Sequence, residues 1–387
     1  MMIDFRKLAR DEKEAIIKTR RALHRIPETA FCEKKTSAFL SKYLKELGLE
    51  VETGIAKTGV VGLLKLGKPG KTLMIRADMD ALPLEEDTGL PFASTHDGCM
   101  HACGHDAHMA MVLGTASILS RIKEKLGGHI KFVFQPAEEG PGGAKPMIDA
   151  GVLENPKVDF AIGCHVHDAV EGMIGVKAGH VLAANDRFDL RILGKGGHGA
   201  MPHLCVDPID VGVQVINALQ RIASRQMNPL SAFVLTIGRF HAGSSFNIIP
   251  EDAEMAGTTR TFDRNIWDSM KEQMERTIKG VCGATGAGYE FKYSRGYPPT
   301  VNDAALAEIV NRCAVEVVGE ENVFEPEPIM AGDDMSFFLE KVPGFFFFLG
   351  VGHENSAPLH NSRFDFNEEV LPKGVEMYLR LACELLR

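Results

Sequence analysis

Four short segments, far apart along the chain, each follow an apolar run and carry side chains of the kind that hold metal ions. They are Met100-His101-Ala102-Cys103-Gly104-His105-Asp106, Phe134-Gln135-Pro136-Ala137-Glu138-Glu139-Gly140, Gly163-Cys164-His165 and Pro358-Leu359-His360-Asn361. A thiol, imidazoles and neighbouring carboxylates at the mouths of strands are costly to desolvate unless they converge on positive charge. Any fold for this chain must therefore bring residue 360 back beside residue 103. A pair of metal ions accounts for what would gather there.

The 387 residues, 45% hydrophobic and 25% charged, suffice for a large core and are expected to form two domains. A formal net charge of −9 argues against nucleic acid or an anionic membrane surface as partner, which leaves a small-molecule substrate. The first residues, Met1-Met2-Ile3-Asp4-Phe5-Arg6, lack a secretory apolar stretch. No window reaches the roughly 18 uninterrupted apolar residues of a membrane helix, so a cytoplasmic location is expected. The cysteines, at 32, 99, 103, 164, 205, 282, 313 and 383, are too irregularly spaced for a disulfide framework. Apart from Cys103 they read as reduced, small, buried residues.

Hydrophobic periodicity predicts helices over 12–25 and 33–48, strands over 60–64 and 72–77, a helix from His105 to about Lys125, and strands over 129–134 and 159–164. This alternation is that of an α/β sheet whose loops carry chemistry at strand ends. From Asn185 the pattern changes to strand 187–193, helix 207–225, strand 232–240, strand 253–261, helix 264–282 and strand 288–293. That order, β-α-β-β-α-β, predicts an inserted ferredoxin-like domain over 185–296, with 1–184 and 297–387 forming a mixed-sheet catalytic domain. A helix near 303–318, a strand over 345–349 and a last helix complete the first domain. The phenylalanines 345–348 read as an internal strand with no function assigned.

Cys103 and His105 flank a glycine where a loop becomes a helix, so a turn can bring both heads to one point. Taken alone, the pair also fits a buried thiol beside a capping histidine. Glu138 and Glu139 repel one another unless one is neutralised. In a hydrolytic metal site such a pair divides its labour, one carboxylate binding metal and the other taking the proton of the attacking water. The alternative is a solvated acidic turn before Gly140-Pro141-Gly142-Gly143.

Taken together, these segments resemble the dinuclear metal amidohydrolases of the hippurate hydrolase, bacterial aminoacylase and auxin-conjugate hydrolase type, within the aminoacylase and carboxypeptidase G2 group. The resemblance also covers Leu23-His24-Arg25-Ile26-Pro27-Glu28, Arg76-Ala77-Asp78-Met79-Asp80-Ala81-Leu82-Pro83, Gly196-Gly197-His198-Gly199-Ala200-Met201-Pro202-His203, Asn247-Ile248-Ile249-Pro250 and Phe364-Asp365-Phe366-Asn367-Glu368. It implies that Cys103 bridges two metals, with His105 and His165 on one and Glu139 and His360 on the other, and that Glu138 is the general base. The metals are expected to be zinc, with manganese, cobalt or nickel also compatible with so mixed a donor set. Asp80 is a supporting candidate at the site, unless Asp78 and Asp80 merely cap the element that follows.

The same resemblance implies that the inserted domain serves as lid and dimerisation surface of a homodimer. His198 would then reach the partner's site to stabilise the oxyanion, although it also fits an ordinary residue of a glycine-rich turn. Asn247 and Arg260 would contact a substrate carboxylate, with His203 in support; a solvent-facing strand arginine is the plain alternative for Arg260. The chain departs from the family pattern at Ala331-Gly332-Asp333-Asp334-Met335 and at Val166-His167-Asp168. The expected activity is hydrolysis of the amide of an N-acyl amino acid, benzoyl or acetyl, to a carboxylic acid and a free amino acid. Rivals are deacetylation of an N-acetylated biosynthetic intermediate such as N-acetyl-diaminopimelate, dipeptidase action, and a non-catalytic metal-binding module; a closed structural site has no use for Glu138.

Overall fold

Eight strands share one sheet in the computed structural model, which describes residues 3–354 and 356–387. Their order across the sheet is Glu50–Ile55, Gly59–Lys65, Gly127–Gln135, Lys68–Asp78, Phe160–Val170, Gly344–Gly352, Ile174–Gly175 and Val323–Phe324. Gly127–Gln135, Lys68–Asp78, Phe160–Val170 and Gly344–Gly352 run parallel to one another, while the first two strands form an antiparallel hairpin that pairs antiparallel to Gly127–Gln135 and Ile174–Gly175 pairs antiparallel to Gly344–Gly352. The sheet is therefore mixed. Its parallel centre is apolar on both faces, as a sheet covered on both sides must be: Met74, Ile75, Phe132, Val133, Phe134, Ile162 and Phe345 to Phe347 are all buried. Phe345 and Phe347 face the helical core, where Phe347 meets Tyr378 edge-on at 5.4 Å, and Phe346 meets Phe348 edge-on at 5.7 Å.

The helix His105–Ile122 is buried along nearly its whole length and starts at Gly104, whose φ of 81° lies in the left-handed region. A Cβ there would approach Val166 Cγ2 to 2.5 Å, so glycine is required both by the torsion and by the contact. That contact presses the Cys103–His105 turn against the strand bearing His165.

Two expectations shift. The strand expected to stop at Cys164 runs on to Val170, so His165 lies within a strand and not at its end. The helix expected to reach Lys125 stops at Ile122 and tightens into a 3-10 turn over Lys123–Lys125. The short elements Glu50–Ile55, Ala144–Asp149 and Met335–Leu339 had no period long enough to read.

The chain forms two compact units, the second comprising Leu182–Thr300 with the return segment Pro328–Asp333. Within it, strand Ala184–Leu193, helix Pro208–Arg221, strands Phe233–Ala242 and Asp252–Thr261, helix Arg264–Thr285 and strand Gly288–Tyr297 follow in order. The four strands lie antiparallel, with Ala184–Leu193 between Asp252–Thr261 and Gly288–Tyr297. Phe188, Leu190 and Ile192 alternate along their strand and pack in one core with Val215, Leu219, Met274 and Ile278. Asp207 and Asp263 each accept two backbone N–H groups at the helix starts, which fixes where both helices begin. Among the described residues no helix is long and apolar enough to cross a membrane.

The internal placement of Phe347 gives a direct test of this core. Phe347→Ala is expected to lower the free energy of unfolding, measured by denaturant titration, by about 3–5 kcal/mol. A loss below ~1 kcal/mol would mean that the sheet and the helix Leu371–Leu385 do not interlock there.

Candidate metal centre

The first unit brings the heads of Cys103, His105, Glu138, Glu139, His165 and His360 together. Cys103 Sγ lies 3.5 Å from His165 Nε2, and His360 Nε2 lies 3.1 Å from Glu139 Oε1. One ligand atom from each of Cys103, Glu139 and His360 falls within a mutual 4.8 Å, as do those of His105, Glu138 and Glu139, and those of Asp78, His105, His108 and His165. His360 reaches the cluster from a left-handed backbone, φ 64°, while its N–H donates to the Ala102 carbonyl.

The ring hydrogen bonds decide which nitrogens are available. His105 Nδ1 donates to the Asp80 carbonyl at 2.8 Å, and His165 Nδ1 donates to the Val166 carbonyl at 2.6 Å. Each Nε2 is thereby the lone-pair nitrogen, in the tautomer that a metal ligand requires. His105 Nε2 is buried and has no hydrogen-bond partner among the described residues. An orphaned lone pair, a thiol and a carboxylate facing one point fit divalent cations of borderline softness.

His108, one turn beyond His105, is a residue that the sequence reading missed. Both its nitrogens are committed: Nδ1 donates to Asp78 Oδ1 at 2.6 Å, and Nε2 accepts the Val166 N–H at 3.0 Å. It therefore ties the Asp78 strand to the His165 strand. Arg76 and Asp334 were missed as well. Arg76 donates to Asp78 at 2.8 Å, to Gln135 at 2.9 Å and to Asp334 at 3.0 Å, so one guanidinium joins two strands and the segment before Met335–Leu339. The quoted run from Arg76 to Pro83 and the spacing of His105 and His108 held the only signals for these contacts.

Asp80 does not cap a helix. Its Oδ1 accepts the N–H of Glu138 at 2.8 Å and its Oδ2 that of Glu139 at 3.0 Å, so it grips the backbone of the acidic pair. This corrects the alternative of a simple cap for Asp80, and Asp78, bound by Arg76 and His108, is no cap either. Asp334 Oδ2 holds the far end of the same loop through the N–H groups of Gly143 and Ala144, both at 2.9 Å.

The concentration of acid is visible in the titration of the imidazoles and the thiol. Burial alone would lower His105, but Asp78 and the Asp80 hydrogen bond outweigh it and lift the ring to about 10, so that its Nε2 gives up a proton only to a competing cation. Burial, then Glu139 and Glu138, push the Cys103 thiol well up. His165, buried and close to His108, falls to about 3 and stays neutral. A thiol in such company ionises only with strong positive charge at hand.

The remaining candidates lie in the second unit. His198 is exposed on the short strand Gly197–His198, paired with Ile248, and its Nδ1 accepts the Ala200 N–H at 3.0 Å, which leaves the proton on Nε2. Asn247 is exposed, its Oδ1 accepting the Ser245 hydroxyl at 2.8 Å. His203 is exposed in a 3-10 turn. Arg260 is half-buried, not solvent-facing; it reaches the Met330 carbonyl at 3.4 Å, and burial lowers its affinity for the proton.

Residues 74–384 match the sequence profile of peptidase family M20/M25/M40. The thermostable carboxypeptidase 1 of Saccharolobus solfataricus is 42% identical, over 97% of this chain and 96% of that protein. The N-acyl-L-amino acid amidohydrolase of Geobacillus stearothermophilus is 45% identical, over 77% of this chain and 81% of that protein. A crystal structure from Bacillus subtilis, described as a dinuclear metal-binding peptidase of the M20 family, superposes with a TM-score of 0.85 at 36% identity, covering 97% of this chain and 99% of that one.

Behind the centre, the residue after His105 anchors a buried charge network. Asp106 Oδ2 accepts from Arg20 Nε and from His24 Nδ1, each at 2.7 Å. Burial alone would lower His24, but Asp106 and Glu86 overcome it and hold the ring at about 9 against 6.5 ordinarily. The folded chain thus binds this proton more tightly than the unfolded one. The resulting stability is fully present below pH ~6.5 and is lost as pH rises through ~9. The unfolding free-energy difference between wild type and His24→Gln is expected to be on the order of 3 kcal/mol at pH 6 and to shrink toward pH 10. A difference that does not change with pH would contradict the charged pair.

Proposed function

The chain belongs to peptidase family M20/M25/M40, and on that premise we propose how its residues divide the work of hydrolysing the amide bond of an N-acyl amino acid. The enzyme releases a carboxylic acid and a free amino acid. Cys103, His105 and His165, with Glu139 and His360, would hold two divalent cations between them, Cys103 serving both. Zinc suits this thiolate, imidazole and carboxylate set, and manganese, cobalt or nickel can replace it. When bound, the cations supply Lewis acidity that polarises the acyl carbonyl and makes a hydroxide nucleophile accessible near neutral pH.

The observation that carries the reading is Glu138, a carboxylate beside the five-ligand set and beyond what that set needs. With its backbone clamped by Asp80, it takes the proton of the attacking water and delivers it to the departing amine. Asp80 positions this acid without touching the reacting atoms. The second unit is a ferredoxin-like lid and dimerisation domain. From a partner copy it presents His198, whose proton on Nε2 makes it a donor to the tetrahedral oxyanion. Arg260 and Asn247 hold the carboxylate of the amino-acid half, the guanidinium supplying a planar fork. The enzyme acts in the cytoplasm on small substrates.

The identity to a protein named carboxypeptidase favours one second reading. The same carboxylate contacts would seat the C-terminus of a peptide, and the scissile bond would be a peptide amide. A panel in which acyl and amino parts vary separately, assayed on protein of known metal content, distinguishes the two. Higher kcat/KM for N-acyl amino acids supports the first reading; higher kcat/KM for unblocked dipeptides overturns it.

Glu138→Gln is expected to lower kcat by about 10²–10⁴-fold while metal content by elemental analysis stays at two per chain. Surviving activity would remove Glu138 from the role of base. Arg260→Met is expected to raise KM by at least ~10-fold, with a smaller effect on kcat, in steady-state kinetics; an unchanged KM would place the substrate carboxylate elsewhere.

A further inference from the structure

Glu33 is a buried carboxylate that the scheme above leaves unused. It occupies the N-cap position of the helix Lys34–Glu46, yet it makes no side-chain cap to that helix. Its Oε1 accepts the N–H of Ala137 at 3.0 Å, and its Oε2 accepts the hydroxyl of Thr58 at 2.5 Å. Glu33 and Ala137 are both 0% exposed, so an Ala137 N–H left without an acceptor would go unsatisfied, with no water to replace it.

Ala137 immediately precedes Glu138 and sits at φ 58°, in the left-handed region that a residue with a Cβ enters only under strain. Its carbonyl accepts the Gly142 N–H at 3.0 Å, so both polar groups of the bend are used. Release of the Ala137 N–H would let that residue relax toward ordinary torsions. The Pro136–Ala137 peptide would turn with it and shift the stem from which the Glu138 side chain departs. Asp80 fixes the two N–H groups that follow and Asp334 the two at the loop's far end, which leaves the N–H that enters the bend to Glu33.

We propose that Glu33 is a positioning residue of the hydrolytic site, which holds the left-handed bend at Ala137 and so aims the carboxylate of Glu138. The proposal rests on the reading of Glu138 as the base. What matters at Glu33 is an oxygen acceptor at the right reach. Glutamine presents that oxygen to Ala137 and its amide can donate to Thr58; methionine has similar length and no comparable acceptor.

The test is a double-mutant cycle on metal-loaded protein, with kcat and KM measured on hippurate and on N-acetyl-L-methionine and expressed per two-metal chain. Glu33→Met is expected to lower kcat by about 10- to 100-fold with KM little changed, the scale on which a misaimed catalytic group loses rate. Glu33→Gln is expected to stay within about 3-fold of wild type, because it keeps the acceptor. In a Glu138→Gln background, Glu33→Met should cost nothing further, since a residue that acts through Glu138 has no effect once the base is gone.

Wild-type kcat in Glu33→Met, or an undiminished loss in the Glu138→Gln background, overturns the proposal. Activity retained by Glu138→Gln alone instead overturns the base assignment, so the two failures are distinct. If Glu33→Met does not fold, Thr58→Val frees the other carboxylate oxygen and is expected to lower kcat several-fold, again only when Glu138 is present. Equal kcat in Thr58→Val and wild type would count against the proposal.

Discussion

Asp78, Asp80, Glu138 and Glu139, with the Cys103 thiol among them, lie buried or nearly so within one small region of the first unit. Removing charge from water costs several kcal/mol per ion unless a counter-charge or a set of hydrogen bonds replaces the solvent. Arg76 answers part of this acidity through Asp78 and Asp334, and backbone N–H groups answer the part on Asp80. What remains faces the point where His105 Nε2, His165 Nε2 and Cys103 Sγ meet. Two divalent cations at that point would satisfy the electrostatics and the family's chemistry together, and the parallel sheet centre supplies the strand that carries His165 and the one that leads into Glu138 and Glu139.

The loop that bears the acidic pair is held mainly by its backbone. Asp80, Asp334 and, on our proposal, Glu33 each collect N–H groups from it. Such an arrangement holds the main chain of Glu138 and Glu139 through acceptors other than their own carboxylates. It also explains why carboxylates recur outside the ligand set: an ionised carboxylate accepts several N–H bonds at once, more strongly than a neutral acceptor. His108 and Arg76 extend the same principle to the strands by cross-linking Asp78 to its neighbours.

Much of this was legible in the sequence. The helical and strand periods were strong, so the element order and the internal strand of phenylalanines followed from apolar patterning alone. The proposed ligands stood in short runs that each fitted a plainer use alone and pointed to metal only when read together. What the sequence could not convey were contacts made in three dimensions by residues of ordinary appearance: Asp334 looked like a departure from a motif, His108 like one more helical residue, and Glu33 like the first residue of the helix predicted over 33–48. The strand past Cys164 was also hidden, because His165, His167 and Asp168 break the apolar run that marks a buried strand. Polar residues inside a central strand are the expected sign of a site, and a period-based reading stops at them.

The central claim is that two cations share the Cys103 sulfur, with Glu138 outside their coordination. Anomalous diffraction from crystals of the zinc-loaded protein tests it most directly. The account predicts two peaks, each about 2.3 Å from Cys103 Sγ, one flanked by His105 and His165 and the other by Glu139 and His360. A single peak closed by four side chains, or a pair of peaks with Glu138 as a ligand and Cys103 apart, would contradict it.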